Sequence, residues 1–166
     1  DVLDSVAERC RPGSDTYVNP AKSLALDLAE SVPVVVGSTP AGGAAAYWLV
    51  SSLAAVGRPA AVGVLPVART RLAGLLTAPT GAGADDDLFR DRVDDPSPAR
   101  PRLVLIRAVD EPDVARAQVD ELVADCGRRG VPVSELMAED AAGPVGRLAS
   151  VLALLDFTAA YLGIAG

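Results

Sequence analysis

Apolar residues along this chain repeat with two different periods. Leu24, Leu28 and Val32 recur every fourth position, a spacing that predicts an amphipathic helix across residues 19–31. Asn19 suits the cap of that helix, and Pro20 suits its first position, where a missing N–H costs nothing. The period then disappears. VPVVVGS, residues 32–38, is a short β-branched run closed by glycine and proline, the form of a strand buried on both faces of a parallel sheet.

The alternation continues to the end of the chain. AGGAAAYWLVSSLAAVG, residues 41–57, reads as a small-residue helix able to lie close to a sheet, and AAVGVLPV, residues 60–67, as a second strand. Residues 68–100 read as a long excursion with one or two short helices, the helical stretch centred on 72–76. RLVLIRA, residues 102–108, is the clearest strand, followed by a helix entered at Pro112 and stopped by Gly130. VPVSELMAE supplies a fourth strand, and residues 143–166 form a helix apolar almost all round, as a core helix would be. Strand alternating with helix predicts an α/β sandwich whose parallel sheet contains residues 34–36, 61–64, 103–106 and 133–136.

Composition narrows the function classes. The chain has 166 residues, half of them hydrophobic, enough for one core. A net charge of −7 with scattered arginines argues against nucleic acid or an anionic membrane as partner. Every apolar run is broken by Pro, Gly or a charge before about 20 residues, and no signal pattern opens the chain. The expectation is a cytoplasmic protein with no membrane segment. Cys10 and Cys126 share no metal-type spacing and are expected to be free, buried thiols, with neither metal nor cofactor implied. The chain begins mid-phrase at DVLDSVAERC, which reads as a fragment of something longer. Residues 1–18 are accordingly expected to be a linker or remnant, and 19–166 a single domain.

Specific words then match a known family. NPAK at a helix start, a VVVG strand, LFRDRVDDP, RLVLIR, GVPVSEL and a terminal LLDFTAAYLG occur in this order over nearly the whole chain. The set resembles the C-terminal sugar-isomerase (SIS) domain of bifunctional phosphoglucose/phosphomannose isomerases, with greatest likeness to TobH-like members. The resemblance implies a three-layer α/β/α sandwich with a flavodoxin-like parallel sheet. It also implies that the chain is the C-terminal half of a two-SIS protein, with its own N-terminal SIS domain as one partner and a homodimer whose sites lie between domains and subunits.

Family enzymes move a proton between C1 and C2 of a sugar phosphate, which requires a positioned base and an acid. By resemblance, the family's catalytic Glu falls at Ala55, the Lys of the same motif at Arg58, and the His-Asn pair at Thr70 and Arg71. Residue counts make the same point without an alignment. The chain has no His, its only lysine is Lys22, and no Glu lies between Glu30 and Glu111.

Other candidates carry less. GSTPAGG, residues 37–43, sits where a helix N-terminus favours an anion, so Ser38 and Thr39, with Arg58, are candidate sugar-phosphate ligands; ordinary turn chemistry also accounts for the loop. Asp85, Asp86, Asp87, Asp91, Asp94 and Asp95 are interleaved with Arg90 and Arg92, a self-paired solvated face rather than a metal site. Tyr47 and Trp48 are expected in the core, and Asp156 is expected to be buried with a structural partner. The expected function is that of a degenerate, non-catalytic SIS module able to bind a sugar phosphate. The alternative is half of an active glucose-6-phosphate/mannose-6-phosphate isomerase, completed by the N-terminal domain and a dimer partner.

Overall fold

In the computed structural model the described residues are 2–65, 74, 100–138 and 143–165. Local chemistry sets the element boundaries. The Asn19 side chain accepts the Lys22 N–H at 3.0 Å, and Pro20 opens a helix that buries Ala21, Leu24, Ala25 and Leu28. Gly130, at φ 67°, takes the left-handed conformation that ends the helix after Pro112, and its N–H returns to the carbonyls of Cys126 and Gly127. The elements are α1 (Val2–Arg9), α2 (Pro20–Ala29), β1 (Ser31–Gly37), α3 (Pro40–Ala55), β2 (Ala61–Val64), β3 (Arg100–Arg107), α4 (Asp113–Arg129), β4 (Val133–Met137) and α5 (Gly143–Ala165).

The four strands form one sheet in the order β2-β1-β3-β4, and every pairing is parallel. Strand alternation sorts the valines and leucines onto two faces. Val34, Val36, Leu103 and Leu105 pack with Val119, Leu122 and Cys126 of α4. Val35, Val104 and Ile106 pack instead with α2, α3 and α5. The result is a three-layer α/β/α sandwich. Its four expected strands are all present, and the strand order is that of flavodoxin-like sheets.

The N-terminal segment is tied to the far end of the chain. Val6 and Cys10 are fully buried against Phe157 and Tyr161 of α5. The Tyr161 hydroxyl donates to the Cys10 carbonyl at 2.5 Å, and the buried Asn19 carboxamide donates to the Arg11 carbonyl at 3.2 Å and to the Tyr161 oxygen at 3.4 Å. Lys22 Nζ donates to the carbonyls of Pro12 and Ser14 at 2.7 and 2.8 Å and lies over the Tyr161 ring. The stretch expected as a linker thus contains a packed helix and a clamped loop.

Two side-chain placements correct the sequence reading. Tyr47 and Trp48 are 55% and 47% exposed, because the small neighbours Ala45 and Ala46, with Leu49, take the buried positions of α3. Asp156 is also exposed, and its partner is the Trp48 indole N–H, at 2.7 Å. In addition, α5 is 23 residues long and apolar enough to match a membrane span by length and composition, Asp156 notwithstanding. In this fold α5 is instead a layer of the sandwich, packed on α1, α2 and α3. Cys10 and Cys126 are buried thiols outside any disulfide, as expected, and burial pushes the Cys126 thiol up from its ordinary pKa. Residues 66–73 and 75–99, with the acidic run and Thr70, lie outside the described residues.

Candidate functional site

Parallel strands present all their carboxyl ends at one edge of the sheet. There β1 leads into α3 on one face, while β3 leads through residues 108–112 into α4 on the other. Chains that diverge in this way leave a crevice between the two strands, the usual ligand position of doubly wound sheets. A cavity of about 380 Å³ occupies it, within the size range of small-molecule sites. Thr39 and Gly42 line one side, Ile106, Arg107 and Asp110 the floor and rim, and Pro144, Arg147 and Leu148 of α5 the other side.

Glycine allows α3 to start this close to the sheet. A Cβ on Gly37 would overlap the Gly42 carbonyl carbon and the Gly43 nitrogen, and one on Gly42 would lie 2.8 Å from the Ile106 carbonyl oxygen. Gly43, by contrast, has open space around it. Close packing therefore accounts for two of the three glycines in GSTPAGG. Thr39 caps α3 by accepting the Gly42 N–H at 3.1 Å, which leaves the hydroxyl hydrogen available to the cavity.

Ser38 faces the other way. It continues the Val34–Val36 alternation toward α4, is buried, and gives its N–H to the Ile106 carbonyl at 3.0 Å and its hydroxyl to the same oxygen at 3.3 Å. The Ser38 side chain also favours the ionised form of the Glu111 carboxylate. Glu111, with its side chain 2% exposed, takes Arg107 in a fork: Nη2 to Oε2 at 2.7 Å and Nε to Oε1 at 3.2 Å. Burial pushes the Glu111 carboxyl up, but the bonds from Arg107, the Ser38 side chain, the Arg107 charge and the Ala108 N–H outweigh it and hold it below its ordinary value. Arg107 is raised chiefly by its bond to Glu111, and its Nη1 also lies 3.5 Å from Glu135.

Arg147 is held more lightly. Its Nη2 meets Asp110 Oδ2 at 3.1 Å, with the Arg147 side chain 19% exposed and that of Asp110 66% exposed. The other sequence candidates lie elsewhere. Arg58 Nη1 donates to the Ala29 carbonyl at 2.7 Å, at the amino ends of the strands, about 20 Å from the cavity along seven-residue β1. Ala55, the last residue of α3, lies at the same edge and is exposed. One chain therefore brings Thr39 to the cavity, buries Ser38 beside it, and leaves Ala55 and Arg58 apart.

Sequence reasoning missed Arg147, Asp110 and the Arg107–Glu111 pair. Arg147 stands out in hindsight as one of two charges, with Asp156, in a helix otherwise without them, and Glu111 lies one turn beyond the end of the clearest strand. Among the described residues no cluster of three or more His, Cys, Asp or Glu side chains is placed to hold a metal ion.

Fold and crevice together define an SIS-type α/β domain. The profile of the family described as bacterial phospho-glucose isomerase C-terminal SIS domain matches residues 17–166, and the chain belongs to that family. No match was found among curated proteins. Among solved structures, the chain is similar to a glucose-6-phosphate isomerase like protein from Thermus thermophilus, with TM-score 0.67 and 22% identity over 99% of this chain and 49% of that one. It is also similar to the sugar isomerase domain of the RpiR transcription factor from Sphaerobacter thermophilus, with TM-score 0.57 and 16% identity over 98% of this chain and 88% of that one. The chain thus spans about half the length of the Thermus protein, 49%.

Proposed function

We propose that this domain binds a sugar phosphate in the crevice between β1 and β3 and does not itself catalyse isomerisation. The cavity carries the reading. It has the size of a small-molecule site, an apolar wall, a hydroxyl at Thr39 and a cation at Arg147. Among its described lining residues the only carboxylate is that of Asp110, already paired with Arg147, and a proton transfer between sugar carbons needs a free base within reach. The chain's lack of histidine supports the same reading.

Titration calorimetry with glucose 6-phosphate and a coupled assay for fructose 6-phosphate test it together. Binding without turnover is the expected result, and turnover by this chain alone refutes the non-catalytic part. A chain that shows neither binding nor turnover overturns the reading altogether.

A second reading has its own support. The chain matches half of a protein described as glucose-6-phosphate isomerase like, so it could form part of an active enzyme completed by an N-terminal SIS domain and a dimer partner. The 16 residues of α3 carry no charge, and Ala41, Ala44, Tyr47 and Trp48 are exposed on it, an apolar face that suits such a partner. Sedimentation at micromolar concentration distinguishes a homodimer from a monomer. Turnover that appears only when an N-terminal SIS domain is added decides for this second reading. The cytoplasm is the proposed location.

A further inference from the structure

The two arginines of the cavity differ in how they are held. Arg107 is locked by a buried fork to Glu111 and a second carboxylate at Glu135. Arg147 has one bond to a described residue, to a carboxylate that is two-thirds in water. An ion pair of the second kind contributes little, because water solvates its partner nearly as well. Arg147 can therefore exchange partners at low cost, whereas Arg107 cannot. The surroundings favour an anion as the new partner. The first turns of α3 and α5 both line the cavity, and helix amino ends carry partial positive charge.

We infer that Arg147 and Asp110 form an exchangeable latch, in which Asp110 occupies the anion position of the cavity until a phosphate monoester displaces it from Arg147. The inference rests on the proposed sugar-phosphate site and assigns its phosphate end. The phosphate lies against the Arg147 guanidinium and the Thr39 hydroxyl, and the uncharged body of the ligand lies along Pro40, Ala45, Leu148 and Val151. Asp110 then acts as a built-in competitor. It repels the incoming anion and sets the affinity, and the released carboxylate returns to water without burial.

Calorimetry on the folded chain tests the latch with glucose 6-phosphate, inorganic phosphate and glucose as probes. Asp110→Asn keeps the shape of an exposed side chain and should bind glucose 6-phosphate and phosphate about 3- to 10-fold more tightly. Arg147→Ala should weaken both by about 10-fold or more, and Arg147→Lys should recover part of that loss as a point charge without the fork. None of the three changes should alter the response to glucose. If the unaltered chain binds glucose 6-phosphate but Asp110→Asn binds it no more tightly, the latch is wrong and the binding site stands. If neither the unaltered chain nor Asp110→Asn binds either phosphate, both fail. Asp110→Asn decides the matter even where Arg147→Ala loses its circular-dichroism signature of folding.

Discussion

Arg107 and Glu111, four residues apart across the end of β3, face each other through a forked ion pair that is almost wholly withdrawn from water. Removing Glu111 leaves Arg107 only its longer, 3.5 Å contact with Glu135, so Glu111→Gln should cost about 2–3 kcal/mol in urea unfolding. Replacing both residues with methionine should cost less than the two single changes summed.

The same pair sets an acid limb. The folded-state pKa of Glu111 is depressed, so its contribution is fully present above the unfolded value and is lost as pH falls through the folded one. Unfolding free energy should therefore decline below roughly pH 4, and Glu111→Gln should flatten that decline. A decline of equal steepness in the variant would place the acid sensitivity elsewhere.

Gly37 and Gly43 make an internal control. Gly37→Ala should displace α3 and destabilise the chain severely, because its Cβ meets backbone that has no flexible end to move. Gly43→Ala, six residues later and surrounded by open space, should be neutral or stabilise by up to about 1 kcal/mol as a helix-interior change. Thermal unfolding of the two variants measures the contrast.

Asn19 both caps α2 and joins Arg11 to Tyr161 while wholly buried. Asn19→Ala should cost about 2–3 kcal/mol, the sum of a lost cap and an unmatched carbonyl. Hydrogen exchange should show the loss concentrated in residues 2–19.

Asp156 accepts the indole N–H of the only tryptophan, so Asp156→Ala should shift Trp48 fluorescence while changing stability by about 1 kcal/mol or less at this exposed position. An unchanged emission spectrum would mean that the contact does not persist in solution.

The elements were legible in the sequence where one short-range rule decides them. The β-branched run at 32–38, the Asn19 and Pro20 start and the Gly130 stop each depend on the residue's own backbone preference. Side-chain destinations were harder. Tyr47 and Trp48 looked like core residues, but alanines fill the core side of α3, and a close-packed helix leaves large rings no room there. Ser38 and Thr39 looked equivalent in the loop, yet strand alternation sends one toward α4 and the other into the cavity. The cavity itself joins residues 39, 106, 110 and 147, which only the tertiary fold brings together. No local pattern announces such a meeting.

The Tyr161 bond to Cys10 spans 151 residues of sequence. During synthesis, then, α1 is made well before the helix it packs on, since Phe157 and Tyr161 lie about 150 residues downstream. Contacts that close so large a loop are slow to form, and chains are made at only about 5–20 residues per second. For several seconds the apolar side of an eight-residue helix, too short to persist alone, has no native partner on the ribosome. A chaperone that recognises short apolar segments would have its opportunity there, before α5 docks.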